Sequence, residues 1–435
     1  MIYIIADDLT GANDTGVQFS KRGYRTVVSI INNSPILIED TDVMVVDIET
    51  REIEPSIARK RVKQVLEKLN PGKNDIVYKK VDSTLRGCIG AEIEEIMNFL
   101  QMDICIFSPT FSFNKRITVG GYLIVQGTIL ELSNYGNEDI EPGEASYIPS
   151  LLERQTDLPV SRIELKDVAK GPDVILEKIK ELYEKGIKIV VIDAADETHL
   201  QNIIKSSFKF DGSILYSGSA GLANHLLGMN KGHVNSKIKA LDNERPVLAV
   251  CATRQPVMKS QIDYLKGRVE FCEVIVDLET IFAGRASAIE EYSGKSVKAL
   301  NERRDVVIHT DPLNTEKMKI NEKLVKKHGL KARELELTIR NFLGELTAAV
   351  VRKSSVRSLI LSGGDTALGV CSALDLHNLY ILDELFPGIP VSMVDFGDLQ
   401  LKLVTKAGGF GEEDTLFEII DKMSLNIGQR RQVLT

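Results

Sequence analysis

Short apolar, β-branched runs alternate with segments of helical period along almost the whole chain, and this alternation leaves few folds open. The runs are apolar at successive positions rather than at every second one, so both faces of each strand must be covered. That pattern calls for an α/β fold with parallel or mixed sheets sandwiched by helices. Strands are expected at 2–6, 26–31, 43–47, 75–79, 104–107, 188–192 and 213–216, then at 247–251, 271–276, 305–309, 357–361 and 401–405. Helices are expected at 56–69, 91–100, 173–185, 257–266, 333–352 and 413–423, and Pro172 after Gly171 suits the first turn of one of them. A chain of 435 residues exceeds one ordinary core, so two domains are expected. The polar, Gly- and Pro-containing stretch 228–246 is the clearest break between them. The division expected is 1–230, a linker over 231–246, and 247–435, with no internal repeat visible in the sequence.

Charge narrows the partners. Lys and Arg number 54 against 62 Asp and Glu, a net charge of −8, which argues against nucleic acid or an anionic membrane surface as a partner. A small anion needs only a local group of cations. The five cysteines, Cys88, Cys105, Cys251, Cys272 and Cys371, form no C-x-x-C pair, so neither a disulfide framework nor a zinc site is expected. The first residues run directly into a strand pattern, and no apolar run approaches the roughly 20 residues of a membrane span. The cytoplasm is the expected location, and assembly into a homo-oligomer is left open.

In open α/β sheets ligands collect where strand carboxyl ends lead into helix N-termini. In the first half, Asp7 and Asp8 end one strand and lead through Thr10 and Gly11 into a helix. One of them can serve as a base for a substrate hydroxyl and the other orient a metal or a second hydroxyl, or an aspartate can simply cap the helix. The segment Lys79-Lys80-Val81-Asp82-Ser83-Thr84-Leu85-Arg86 puts cations beside hydroxyls and an acid, as a polyol carrying a carboxylate requires, with Arg86 suited to a bidentate grip. Ser108 to Gly121 carries Arg116 and two glycines, and a hairpin would explain it as well. Tyr216-Ser217-Gly218-Ser219-Ala220-Gly221 is either an anion-facing turn or a place of close strand–helix packing.

The second half carries two glycine loops, Ser362-Gly363-Gly364-Asp365-Thr366 and Lys406-Ala407-Gly408-Gly409-Phe410-Gly411, each between a strand and a helix. Glycines admit a phosphate to the backbone, and the following helix supplies oriented N–H groups. Two such loops in one domain point to a nucleotide. There is no G-x-x-x-x-G-K-[ST], no early G-x-G-x-x-G and no protein-kinase motif set.

The segments IIADDLTGANDTGVQFSKRG, KKVDSTLRGCIGAEIE, SGSAGLA, LSGGDTALGV and LVTKAGGFGEEDTL, in that order, resemble the four-carbon acid sugar kinase family over nearly the whole chain. The resemblance implies a sugar-acid-binding N-terminal domain, an ATP-binding C-terminal domain and an active site in the cleft between them. It implies transfer from ATP, with Mg²⁺, to the terminal hydroxyl of a threonate, an erythronate or a 3-oxo-tetronate. By position, Asp7 and Asp8 would be catalytic, and Lys79, Lys80, Asp82, Ser83, Arg86 and Arg116 would bind the acid. Gly363, Gly364, Asp365, Thr366, Gly408, Gly409 and Gly411 would hold ATP, and no residue is assigned to a metal. Where the family reads Ser-Gly-Ser-x-Ser-Pro, this chain has Cys251-Ala252-Thr253-Arg254-Gln255-Pro256, in which Thr253 replaces a serine hydroxyl and Arg254 can bond a phosphate. It also has Phe111, Phe113 and Lys115 before Arg116, where the family tends to read Ala-Pro-Ala with a Gly before the arginine. A sugar-acid or nucleotide sensor and an NAD(P)-dependent oxidoreductase are the competing readings.

Overall fold

A computed structural model describes residues 1–30, 39–133, 146–226, 246–253, 255–311 and 314–423. The chain forms two compact units, Met1–His233 and Val234–Thr435. The linker expected at 231–246 lies, apart from Pro246, outside the described residues, as does Arg254.

The first unit is built on strands β1 (Ile2–Ala6), β2 (Thr26–Ile30), β3 (Val43–Asp47), β4 (Ile76–Lys80), β5 (Ile104–Ser108), β9 (Val160–Ile163), β10 (Ile189–Ile192) and β11 (Ile214–Gly218). In space they run β2-β3-β1-β4-β11-β5-β10-β9, all parallel. Between β5 and β9 the chain makes a separate antiparallel sheet of β6 (Arg116–Val119), β7 (Tyr122–Val125) and β8 (Thr128–Ile129). Every residue of β1, β2, β3 and β5 is buried, as the unbroken apolar runs require. Helices cover the sheet with one apolar stripe each. In Pro55–Leu69 the stripe is Ala58, Val62, Val65, Leu66 and Leu69, spaced at helical period. Burying a single Val or Leu of that stripe contributes about 1.5–3 kcal/mol.

The second unit contains β12 (Val247–Cys251), β13 (Phe271–Ile275), β14 (Asp305–His309), β15 (Ser358–Ser362), β16 (Asn378–Phe386), β17 (Ile389–Phe396) and β18 (Leu399–Lys406). Their order is β13-β14-β12-β15-β18-β17-β16, parallel as far as β18 and antiparallel beyond it. The β16–β17–β18 meander was not expected from the sequence. Its turns fall at Gly388 and Gly397, both with positive φ, which marks them as tight reversals rather than loops into helices.

Both units open with the same four-strand plan. The first strand is flanked on one side by the third and on the other by the fourth, and the second lies outside the third. The side on which further strands are added therefore switches between β1 and β4, and again between β12 and β15. Those two switch points are where crevices open at strand carboxyl ends. Among the described residues no helix is long and apolar enough to cross a membrane.

Candidate active-site clusters

The β1/β4 switch point gathers the first set of expected residues. Asp8 stands at the N-cap of helix Leu9–Ser20, where its Oδ1 accepts from Gly11 N at 2.9 Å, so the capping reading holds. It has a second engagement. Arg51, in the loop after β3, donates Nε and Nη2 to the two oxygens of Asp7 at 2.9 and 3.0 Å. It also donates Nη1 and Nη2 to the two oxygens of Asp8 at 2.8 and 2.6 Å. One guanidinium thus holds both carboxylates. The backbone puts it there, since Thr50 N and Arg51 N both donate to Asp7 O.

Burial alone would favour a neutral Asp7, but Arg51, Lys79 and Lys80 outweigh it and hold the carboxyl below the usual range. Asp82 behaves alike: burial opposes its charge, while Arg51, Arg86 and a hydrogen bond from Thr84 keep it well below the usual range. Asp47, at the end of β3, is fully buried and goes the other way. Burial, with Glu49 and Asp8 nearby, pushes its acid well up.

Lys79 and Lys80 separate as strand neighbours must. Lys79 is fully buried, with its Nζ 2.6 Å from Glu92, so it serves the interior of the unit rather than the crevice. Lys80 belongs to the crevice. A Cβ on Gly11 would lie 2.7 Å from Asp8 Oδ1 and 2.8 Å from Lys80 Nζ, so a larger residue there would have to displace the acid and the cation. Arg86 donates Nε to Asp82 at 2.5 Å, and 54% of its side chain is exposed. Ser83 is half-buried beside them. Leu85 has φ +61 and Gly87 φ +101, so the segment turns sharply and brings Gly87 against the Arg51 backbone.

In the other two segments of this unit the glycines serve a turn and close packing. Arg116 begins β6, in the separate antiparallel sheet. Gly120 and Gly121 form the β6–β7 turn, pinned by hydrogen bonds from both amides to Asp193. At Gly218 and Gly221 a Cβ would fall 2.1 and 2.3 Å from Ser108 O and Thr110 O, so these glycines serve close packing.

At the β12/β15 switch point three loops meet. Gly363, with φ +107, precedes helix Gly364–Leu374 and donates its N–H to Lys406 O at 2.9 Å. Thr366 Oγ1 reaches Ala252 O at 3.4 Å. A Cβ on Gly408 would be 2.2 Å from Thr253 Oγ1, and one on Gly409 would be 3.2 Å from Gln255 Cγ. Gly411 has φ +86 and abuts Thr415. Asp365 is half-exposed and sits 3.4–3.6 Å from Arg340 and Arg333. Ser362 Oγ is buried and, among the described residues, has no hydrogen-bond partner, leaving a donor that a phosphate oxygen would satisfy. These features fit a phosphate group.

Lys406, which sequence reading noted only as a neighbour of the glycines, is buried and donates to Ala407 O and Phe410 O at 3.1 and 2.9 Å, tying the loop down. Burial pushes its ammonium down to about 8, against a smaller opposing pull from Cys251. The unfolded chain therefore holds more protons between about pH 8 and 10.5, and stability rises through that window as the buried charge is relieved. Relative to Lys406→Met, the native chain should gain on the order of 3 kcal/mol from pH 7.5 to 10.5 in urea unfolding. A difference that stays constant with pH would show that the charge is not held at this cost.

Comparison with known proteins fits both clusters. Residues 2–226 match the family model described as a sugar-binding N-terminal domain, and 248–416 match a nucleotide-binding C-terminal domain. A D-threonate kinase of Salmonella typhimurium is 30% identical over 96% of this chain and 97% of its own. A D-erythronate kinase of Heliobacterium modesticaldum is 26% identical over 98% of both chains. A 3-oxo-tetronate kinase of Pseudomonas fluorescens is 27% identical over 98% of this chain and 97% of its own. A Salmonella typhimurium crystal structure described as a putative tRNA synthase shares the fold, with a TM-score of 0.79 at 22% identity over 96% of this chain and 98% of that one. The three curated relatives are named kinases, which favours neither the sensor nor the oxidoreductase reading. With both domain models matched in order and relatives aligned end to end, the chain belongs to the four-carbon acid sugar kinase family.

Proposed function

We propose that this chain transfers the γ-phosphoryl group of ATP to the terminal hydroxyl of a four-carbon sugar acid of the threonate, erythronate or 3-oxo-tetronate class. The observation that carries the reading is the end-to-end match to kinases of such acids, on a chain whose first unit pairs acids with cations at its switch point. In the reaction the terminal oxygen forms a bond to the γ-phosphorus, ADP leaves, and the hydroxyl proton passes to a carboxylate.

Asp8 is the carboxylate we assign to that proton. Its side chain is 18% exposed, against 4% for Asp7. Asp7 then acts through Arg51, fixing the guanidinium that orients Asp8. Lys80 and Arg86 bind the substrate carboxylate, and Asp82 and Ser83 its hydroxyls. Lys79 is left out of the set because Glu92 holds it. In the second unit the glycine loops hold the phosphates. A Mg²⁺ ion bound with the ATP phosphates would supply charge neutralisation there, and it would need no protein cage, since it keeps much of its hydration. The described residues contain no group of three His, Cys, Asp or Glu side chains that would form one.

The test is ADP release from Mg-ATP with threonate, erythronate, 3-oxo-tetronate and glycerate as acceptors. Turnover of a tetronate with little of glycerate is expected. Asp8→Asn should lower kcat by about 10²–10⁴-fold and leave ADP binding intact. Full turnover in that variant would remove Asp8 from the reaction.

A further inference from the structure

Arg86 is flanked by two left-handed residues, Leu85 at φ +61 and Gly87 at φ +101. A leucine in that region is strained, and it stays there where the surroundings hold it. Part of the hold is local. Leu85 is buried and donates its N–H to Asp82 O at 2.9 Å, and Cys88 Sγ donates to Ile53 O at 3.1 Å. Between these anchors stands Gly87, the residue type with the most freedom to turn. Its carbonyl is taken by a side chain 68 residues further along, just past helix Ile148–Glu153. Gln155 Nε2 donates to Gly87 O at 3.1 Å, and Gln155 Oε1 accepts from Gly90 N at 2.8 Å. A carbonyl on one side and an N–H on the other fix which end of the amide is which. One side chain thus spans the turn and the start of helix Ile89–Leu100. A Cβ on Gly90 would lie 2.7 Å from Gln155 Cβ, so the glycine lets the helix start approach the glutamine stem this closely.

We propose that Gln155 is a positioning residue for the reaction: by holding Gly87 O it fixes the turn that aims Arg86 at the substrate carboxylate. The inference rests on Arg86 binding the acid, as in the reading above. A hydrogen bond to Gly87 O fixes the Gly87–Cys88 peptide plane. The bond from Leu85 N to Asp82 O fixes the plane before Leu85, so the backbone of Arg86 is held from both sides. Arg86 Nε meets Asp82 Oδ2, and a Cβ on Gly87 would stand 3.5 Å from the Arg51 backbone. A turn that opened would carry Arg86 away from both. A bidentate grip tolerates little of this, because two parallel N–H groups must meet two oxygens together. The next residue, Thr156, donates to Glu94 Oε2 at 2.9 Å, one turn further along the same helix. That contact docks the helix without reaching the turn, so docking and aiming separate by substitution.

Gln155→Glu, Gln155→Met and Thr156→Val in the full chain test the assignment. Glutamate still accepts from Gly90 N but has no N–H for Gly87 O at neutral pH, and methionine makes neither bond. Both should raise KM for the acid about 10-fold, with KM for ATP unchanged and kcat at saturating acid within about twofold. Hydrogen exchange over residues 83–88 should quicken in both, an effect read without any substrate. Thr156→Val, which loosens docking alone, should leave the acid KM and that exchange as in the native chain. Native KM and exchange in Gln155→Met overturn the inference, as does an equal rise in acid KM in Thr156→Val. Either result, with a tetronate turned over by the native chain, leaves the proposed reaction standing. Faster exchange over 83–88 in both Gln155 variants, in a chain that phosphorylates none of the acids, would support the hold on the turn and remove the reaction.

Discussion

Arg51→Met is expected to cost the folded chain about 3–5 kcal/mol at pH 7, the largest single effect in the first unit. Methionine keeps most of the stem volume, so the loss is electrostatic. Four hydrogen bonds to two carboxylates disappear together, and Asp7, almost wholly buried, keeps its charge with less to balance it. The pH dependence gives the effect its signature. In the native chain Asp7 is held below its ordinary range, so its contribution is present above the unfolded value and is lost as pH falls through the folded one. In the variant burial dominates, the acid protonates more readily, and much of the penalty vanishes in acid. Urea unfolding of both proteins at pH 7 and pH 4 should therefore show a gap that narrows toward acid. A gap below about 1 kcal/mol at pH 7 would mean the carboxylates find other partners.

The second large effect is expected at Gly408. An added methyl would sit 2.2 Å from Thr253 Oγ1 and 2.7 Å from its Cβ, closer than any real contact, so the glycine loop or the Cys251–Gln255 turn must shift. Gly408→Ala should weaken ADP binding by about 10–100-fold, and the strain should cost about 1–3 kcal/mol of stability. Because the clash is with one side chain, Thr253→Gly in the same molecule should recover much of the binding. Native ADP affinity in Gly408→Ala alone would show that the approach of the two loops is not what holds the phosphates.

What the sequence made legible follows a physical boundary. Buried parallel strands are announced by local runs, and loops that admit a phosphate by local glycines, so β1, β4, β12 and both glycine loops could be placed from short windows. Arg51 could not. It is 43 residues from Asp8 and comes to it because β1 and β3 pair in parallel, with Ala6 beside Asp47. The signal was present, since Asp47 to Arg51 is itself a strand end followed by polar residues, but only strand order reveals which ends adjoin. The Lys79–Lys80 pair carries a different lesson. Alternation along β4 already required the two to diverge, and a sequence reading that gave both to the substrate overlooked it. The β16–β17 hairpin was missed because its apolar runs were sought as parts of an α/β alternation, although Pro387-Gly388 announces a reversal.

The crossing of the chain at the first switch point has a thermodynamic consequence. Asp8 and Arg86 stand 78 residues apart in sequence yet belong to one crevice. A ligand that touches both is held only while the intervening strands and helices are all in place, so no partly unfolded form of the unit can retain it. Binding then adds its full mass-action term to the unfolding of the unit, about 2.7 kcal/mol when the free ligand is a hundred times its dissociation constant. If the crevice holds the acid as proposed, the acid that fits it best is also the one that most delays the unit's melting, whether or not a phosphoryl donor is present.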